Sequence, residues 1–372
     1  MLRTRLSRTP LVRNAARFTP YVSPLFIALP EQPDMVRKSR STGRITLDDV
    51  AKAAGVSRIT ASRALHGGRA VGAELVARVQ QAAAQLGYIP DPAARALASA
   101  RSTQVPVLVP MLSNALFVDL LEAVHRMLYP AGFQPMIGVT HYDPAEEELL
   151  LRNFLAHRPA GLLVTGFDRT EAARQLIANS GVPCVYLMET TDAPGVHCVG
   201  FSQTAAGSVM TQHLLDRGYR HIAFVAAQLD PRTLQRAEGY RATLKAAGCY
   251  DARLELLSPE RSSMALGGRL LEELVRTHPE VDAVFFNNDD LAHGGLLGAH
   301  RLGLAVPSRV AIAGFNDLAG SDQMVPALST VHTPRVEIGE QGARMLLQLI
   351  GGQTPTPSSI ELDYQLVVRA ST

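Results

Sequence analysis

The chain has 372 residues, 47% hydrophobic and 19% charged, with three cysteines and a formal net charge of +2. That length supplies more than one domain and a sizeable core, and no apolar run reaches the ~18 residues that a membrane-crossing helix needs. Cys184, Cys198 and Cys249 are scattered without CxxC spacing, which argues for a reducing, cytoplasmic setting and against a disulfide framework or a zinc site.

The charge is unevenly placed. Residues 1–104 hold 16 Lys and Arg against 6 Asp and Glu, whereas residues 105–372 hold 20 against 28. A basic head on an acidic body points to a polyanion as the partner of the head. Residues 1–34, Arg-rich and broken by Pro, admit two readings: an organelle transit peptide, or an upstream extension of a chain whose working start is Met35. The second is favoured, because a folded unit begins shortly after Met35. Residues 1–43 are expected to be a disordered basic extension. Removing residues 1–34 still leaves 11 basic against 4 acidic residues in 35–104, so the excess belongs to the folded head as well.

Residues 44–90 read as three short helices. In "ITLDDVAKAAG", Leu47, Val50, Ala51 and Ala54 fall on one face. Thr46 with Asp49 has the form of a capping box, and Gly55 permits the left-handed turn that ends the helix. Ser57 can cap a second helix whose inward side is Ala61, Ala64 and Leu65. Leu75, Val76, Val79, Ala83 and Leu86 form the apolar side of a third, which Gly87 stops. Helix, short Gly-containing turn, helix is the helix-turn-helix pattern. Its second helix lies in the DNA major groove with its first residues at the base edges. Arg58 and Ile59 are those first outward residues, and Arg63 lies a turn further on. Arg can bond guanine bidentately and Ile can pack on a thymine methyl; Thr60, Ser62 and His66 suit phosphates. The plainer reading is a small helical unit with solvated arginines.

Residues 91–103 follow as a hinge or linker. Asp91 can cap and Pro92 suits the first helical position, but a helix of about two turns is marginal alone. The expectation is a segment that is helical only when something stabilises it, with Arg95 and Arg101 placed for phosphates; an Ala-rich linker is the alternative.

From residue 104 apolar runs such as "VPVLVP", "AGLLVT", "HIAFVA" and "RVAIAGF" alternate with amphipathic stretches. That pattern predicts an α/β body with parallel sheets covered on both faces, divided into two lobes. No GxGxxG and no GxxxxGK[ST] follows a strand, and "GFSQTAAG" breaks the nucleophile-elbow spacing at Thr204. In "NNDDLAH", Asp289, Asp290 and His293 are read as a helix cap or ligand hydrogen-bonders ahead of a metal site. The expectation is therefore no enzyme, no cofactor and no metal.

"ITLDDVAKAAGVSRITASRALHGG" and "RVQQAAAQLGYIPDPAARALAS" resemble the DNA-binding domain of the lactose/galactose repressor (LacI/GalR-type) family of bacterial transcriptional regulators. The likeness runs from about residue 44 to the C-terminus. It implies an N-terminal three-helix helix-turn-helix domain, a hinge helix and two Rossmann-like lobes of the periplasmic-binding-protein type. The first lobe would span about 104–202 plus 317–333, and the second about 203–316 plus 334–372. The family's specificity positions fall on Arg58 and Ile59, with Arg63 as the matching later arginine. The hinge helix of the family folds on operator DNA, pairs with its twin and wedges a leucine into the minor groove; that position is Leu97.

Ligands in such lobes sit at the carboxyl ends of the strands. By position the resemblance puts Asn114, Leu116, Phe117, Asp230, Arg232, Arg236 and Asp289 at the effector, with Arg236 on the recurrent effector arginine and Asp289 on the effector aspartate. Two departures stand out: Ser202-Gln203 where Asp-Asn is common, and "SNALF" where Asn-Pro-Phe-Phe is common. "FVAAQLDPRTLQRAEGY" and "VFFNNDDLAHGG" are most similar to the gluconate-utilisation branch. The implied function is a homodimeric repressor of carbohydrate catabolism genes, released from a palindromic operator by a sugar acid such as gluconate. Asp289 and Asn114 would take its hydroxyls, and Arg236 with Arg232 its carboxylate. The first body helix, "ALFVDLLEAVHRML", would supply part of the dimer interface, and with no heptad stretch after "LDYQLVVR" a dimer is expected. A neutral-sugar or corepressor-type ligand is the alternative within the family. A transport-type binding protein is the alternative outside it, and would carry a cleavable signal peptide and no basic head.

Overall fold

Thr46 opens the first helix of the head through both halves of a capping box. In the computed structural model, which describes residues 45–65, 71–89 and 102–372, the backbone N–H of Thr46 donates to Asp49 Oδ2 at 2.9 Å and that of Asp49 to Thr46 Oγ1 at 3.4 Å. The first of these bonds holds the Asp49 carboxyl below its ordinary pKa. Helix α1 (Leu47–Ala53) ends before Gly55, whose φ of +66° is the left-handed turn the sequence asks for. Helices α2 (Arg58–Leu65) and α3 (Ala73–Leu86) complete the head. Its core is Val50, Ala51, Ala54, Ala61, Ala64, Val79, Ala82 and Ala83. Mostly alanine, it lets three short helices approach closely. The extension 1–43, His66, Arg95, Leu97 and Arg101 lie outside the described residues.

The chain divides into two units, Met1–Pro90 and Asp91–Thr372. In the second, strands and helices alternate: β1 (Gln104–Val109), α4 (Ala115–Leu128), β2 (Gln134–Val139), α5 (Pro144–Ala156), β3 (Leu162–Thr165), α6 (Glu171–Ser180), β4 (Cys184–Met188) and β5 (Cys198–Gly200). Then come α7 (Gln203–Asp216), β6 (Ile222–Ala227), α8 (Pro231–Ala246), β7 (Glu255–Ser258), α9 (Met264–Thr277), β8 (Ala283–Phe286), α10 (Asp289–Arg301) and β9 (Ala311–Ala313). The chain closes with β10 (Thr330–His332), α11 (Arg335–Ile350), β11 (Ser359–Glu361) and β12 (Gln365–Val367).

Two parallel sheets result, in the orders β11-β5-β4-β3-β1-β2 and β7-β6-β8-β9, with β10 and β12 as an antiparallel ribbon. Strand β6 is buried at every residue and β1 at all but its first, which explains their continuous apolar sequences. The strand order reverses beside β1 in one sheet and beside β6 in the other, so each lobe has a crevice at the carboxyl ends of its strands.

The lobe boundaries need two corrections. The sequence reading gives 317–333 to the first lobe, but Leu328 packs in the second-lobe core and the Gly314 N–H donates to the Ser329 carbonyl at 2.9 Å, so the chain stays with the second lobe as far as β10. The same reading assigns 334–372 to the second lobe, but α11 packs on α4 and β4, and β11 pairs with β5. Both belong to the first lobe. The close approach of α11 to α4 depends on Gly339, where a Cβ would stand 2.7 Å from the Leu120 carbonyl oxygen. The chain then returns, and Ser371 bonds Ile312 and Ser329 of the second lobe. It thus passes between the lobes three times, after β5, β10 and β11. Phe201 and Phe315 stack across these passages with ring centres 6.4 Å apart.

Candidate functional site

On α2, Ser57 caps the helix as its position predicts: its Oγ accepts from the Thr60 N–H at 3.2 Å and lies 2.8 Å from Thr60 Oγ1. The Thr60 hydroxyl is therefore engaged locally and the residue half-buried. Ala61 and Ala64 turn inward. Arg58, Ile59, Ser62 and Arg63 occupy the opposite arc, about 140° wide at the helical pitch. Ile59 is 65% exposed, an unusual setting for a large apolar side chain on so small a unit. Arg58 meets Asp48 at 3.6 Å with both side chains exposed, a contact that DNA can replace at little cost.

The second site lies between the lobes at the carboxyl ends of the strands. Its walls include Asn114, Leu116, Phe117, Tyr142, Gln203, Gln228, Asp230, Arg232, Arg236, Asn287 and Asn288. Its free space is about 30 Å³, room for about one water molecule, so a sugar-sized molecule enters only when the lobes part. A larger open groove of about 1120 Å³ lies at the opposite ends of the first-lobe strands. Its arginines, Arg152 and Arg158, are exposed, and it lacks the convergence of buried polar groups that marks the cleft.

Asp230 caps α8, accepting from the Arg232 N–H at 3.1 Å and from Thr233 Oγ1 at 3.0 Å. The Arg232 side chain is buried and meets three carboxylates: Asp230 at 3.2 Å, Asp168 at 3.3 Å and Glu189 at 3.3 Å. Burial opposes its charge, but Asp230 and Asp168 lead a set of anions that outweigh burial and raise its pKa. Asp168 and Glu189 follow β3 and β4 of the first lobe, whereas Arg232 belongs to the second. The cluster therefore ties the lobes together, helped by Gln235 donating to Glu189 at 2.9 Å.

Arg236 is bound differently. It donates to the carbonyl oxygens of Asn287 at 2.6 Å and Arg232 at 3.2 Å, and its guanidinium lies 4.4 Å from the centre of the Phe315 ring. Among the described residues no carboxylate stands within ion-pair distance of it. Burial lowers its pKa to about 10 against the longer-range pull of Asp230, so it stays charged at neutral pH, a buried cation in no direct ion pair with a described residue.

The residues expected by position are not all in the wall. Asn114, Leu116, Phe117, Asp230, Arg232 and Arg236 line the cleft. Asp289 does not. It is fully buried, and its carboxylate accepts from the Leu318 N–H at 2.7 Å, Thr330 Oγ1 at 2.7 Å and Ser321 Oγ at 3.1 Å. Donors from the crossover claim it and it ties α10 to that passage; burial raises its pKa. Asn287 and Asn288 stand in the wall instead, and both are engaged: Asn287 with Thr233 at 2.9 Å, Asn288 as the cap of α10. Asn114 Oδ1 likewise caps α4. Sequence reasoning missed Asp168, Glu189, Tyr142 and Gln228. Asp168 and Glu189 each sit just past a strand end, where the carboxyl-end rule points.

Residues 46–91 match the profile of bacterial regulatory proteins of the lacI family, and residues 211–372 that of the periplasmic binding protein-like domain. The chain is 54% identical over 336 residues to the HTH-type transcriptional regulator GntR of Pseudomonas aeruginosa, covering 90% of this chain and 98% of that one. The chain belongs to the lacI family of bacterial regulatory proteins. This lacI-family member is also 35% identical to the HTH-type transcriptional regulator GntR of Escherichia coli, over 87% of this chain and 97% of that one. Among solved structures, the transcription regulator GntR of Chromobacterium violaceum is similar with a TM-score of 0.71 and 46% identity, covering 72% of this chain and 98% of that one. As a lacI-family member the chain is a DNA-binding transcriptional repressor and not an enzyme. No helix among its described residues is long and apolar enough to cross a membrane.

Proposed function

We propose that this repressor controls carbohydrate catabolism genes in the cytoplasm and leaves a palindromic operator when a sugar acid such as gluconate occupies the cleft. The observation that carries the reading is the contrast between the two cleft arginines. Arg232 is saturated by three carboxylates, so a further anion there meets repulsion. Arg236 is buried, charged and in no ion pair with any described carboxylate, feeling Asp230 and Glu189 only at longer range, and guanidinium pairs with carboxylate in a planar fork. The reading from sequence, in which both arginines clamp the carboxylate, thus narrows to Arg236.

At the head, Arg58, Ile59 and Arg63 read base edges while Ser62 positions the helix on phosphates; the Thr60 hydroxyl, engaged with Ser57, leaves that role to its neighbour. Residues 91–103 act as the hinge, with Leu97 as wedge and His66 and Arg95 at the backbone. A homodimer presents two heads to the two half-sites. Leu112, at 48% exposure, lies in the loop before α4, Val118, at 49%, in its first turn, and Tyr129, at 66%, at its C-cap; they supply an apolar strip for the twin subunit. Effector entry requires the lobes to part and re-close. A coupling of a few kcal/mol between that motion and the hinge suffices for release, since each ~1.4 kcal/mol is tenfold.

A mobility shift on palindromic duplexes, repeated with gluconate, ketogluconates and neutral sugars, tests this. Release by the acids supports the reading. Release by neutral sugars alone overturns it in favour of a neutral-sugar effector, and tighter binding with the acid makes it a corepressor.

A further inference from the structure

Three buried side-chain oxygens lack a hydrogen-bond partner among the described residues: Gln203 Oε1, Gln228 Oε1 and Thr333 Oγ1. Two of the three line the effector cleft. A buried acceptor left unpaired costs free energy unless something else supplies a donor.

Gln203 opens α7 and is 2% exposed. Its Nε2 donates to the Met188 carbonyl oxygen at 3.3 Å. A carbonyl only accepts, so the amide nitrogen must face Met188 and Oε1 must face away; the flipped amide would set two oxygens against each other. Gln203 has no capping duty, because Ser202 caps α7 by accepting from the Ala205 N–H at 3.1 Å. Its place is also fixed relative to Arg236. Helices α7 and α8 touch through glycines: a Cβ on Gly207 would stand 2.5 Å from the Arg236 carbonyl oxygen, and one on Gly239 would overlap the backbone of Thr204. The second acceptor, Gln228, follows β6 in a left-handed backbone conformation, φ +55°, and is pinned by its N–H to the Glu260 carbonyl at 2.9 Å.

We propose that Gln203 Oε1 and Gln228 Oε1 are the hydroxyl-reading subsite of the effector cleft. The third point of recognition, the Arg236 cation, rests on the sugar-acid reading above; the two acceptors do not. Together they select a carboxylate that carries hydroxyl groups over a plain carboxylate of the same length. Asn114, Asn287 and Asn288 hold the cleft in shape, since their carbonyl oxygens are already taken by the chain.

The test is isothermal titration of the full-length protein with D-gluconate, D-glucose and hexanoate, for the wild type and for Gln203→Met, which keeps length and removes the acceptor. The wild type is expected to bind gluconate and to bind hexanoate at least about 100-fold more weakly, because hexanoate leaves both acceptors unpaired. Gln203→Met is expected to lose about tenfold for gluconate and to change little for hexanoate. Equal gluconate affinity in the variant overturns the inference. If the variant does not melt as a folded protein, the wild-type series decides: equal affinity for gluconate and hexanoate overturns it. Binding of glucose without gluconate overturns the Arg236 reading alone, and the variant's glucose affinity then tests Gln203. Binding of neither overturns both.

Discussion

Replacing Arg232 with Met removes the only cation that, among the described residues, is in contact with Asp168, Glu189 and Asp230. Each of its three contacts lies at 3.2–3.3 Å, which at an effective dielectric of 20 is a Coulomb attraction of about 5 kcal/mol per pair. Desolvation and the mutual repulsion of the carboxylates offset most of that sum. What remains after truncation is a set of stranded anions, two of them with side chains no more than 8% exposed, and breaking a buried pair in this way costs about 3–5 kcal/mol. The sign with pH follows. Burial and like charge favour the protonated form of a stranded carboxylate in the folded variant. Its folded pKa then exceeds its unfolded one, so stability returns as pH falls. Denaturant melts of wild type and Arg232→Met at pH 7 and pH 5 measure both effects. The expected result is a loss of about 3–5 kcal/mol at pH 7 that shrinks at pH 5. A loss below about 1 kcal/mol, the scale of an exposed pair, or a gap that does not narrow, refutes the view that this cluster locks the lobes.

Other outcomes follow from single groups. Arg58→Ala changes base preference across a randomised half-site, whereas loss of a phosphate contact weakens all sequences alike; an unaltered preference removes Arg58 from the base edge. Thr46→Ala removes the side-chain half of the α1 capping box and costs about 1 kcal/mol, read as a shift in the thermal melt of the head. Burial, then Asp289, raises the Asp290 pKa from 3.8 to about 6. Its favourable contribution is therefore present below pH 4 and lost as pH rises through 6. Asp290→Asn should then gain on the order of 3 kcal/mol over wild type at pH 7.5 and nothing at pH 4, measured by denaturant melts at both values.

Local rules carried the head. Thr46 with Asp49, Gly55 and Ser57 each act within three or four residues, and all three devices stand where their spacing puts them. The parallel lobes were legible because strands buried on both faces read as unbroken apolar runs. The placement of α11 and β11 was not, since it rests on the pairing of Ser359 with Cys198, a contact between distant segments that no periodicity records. At the cleft, positions near strand ends were found and side-chain directions were not. Asp289 stands beside the wall but turns to Leu318, Ser321 and Thr330, donors supplied by a crossover far along the chain. Gln203 was visible as a departure from the family pattern, and its meaning emerged only with the unpaired oxygen. Asp168 and Glu189 read as ordinary loop acids until Arg232 is seen between them.

The central claim is that an anion at Arg236 loosens the grip of the head on DNA. Fluorescence anisotropy of a labelled palindromic operator, titrated with gluconate for wild type and Arg236→Met, tests it most directly. The account predicts that gluconate weakens the wild-type complex by at least about tenfold, one ~1.4 kcal/mol step of coupling, and leaves the Arg236→Met complex unchanged. An Arg236→Met protein that still lets go of DNA with gluconate, or a wild type that responds to glucose and ignores the acid, contradicts it.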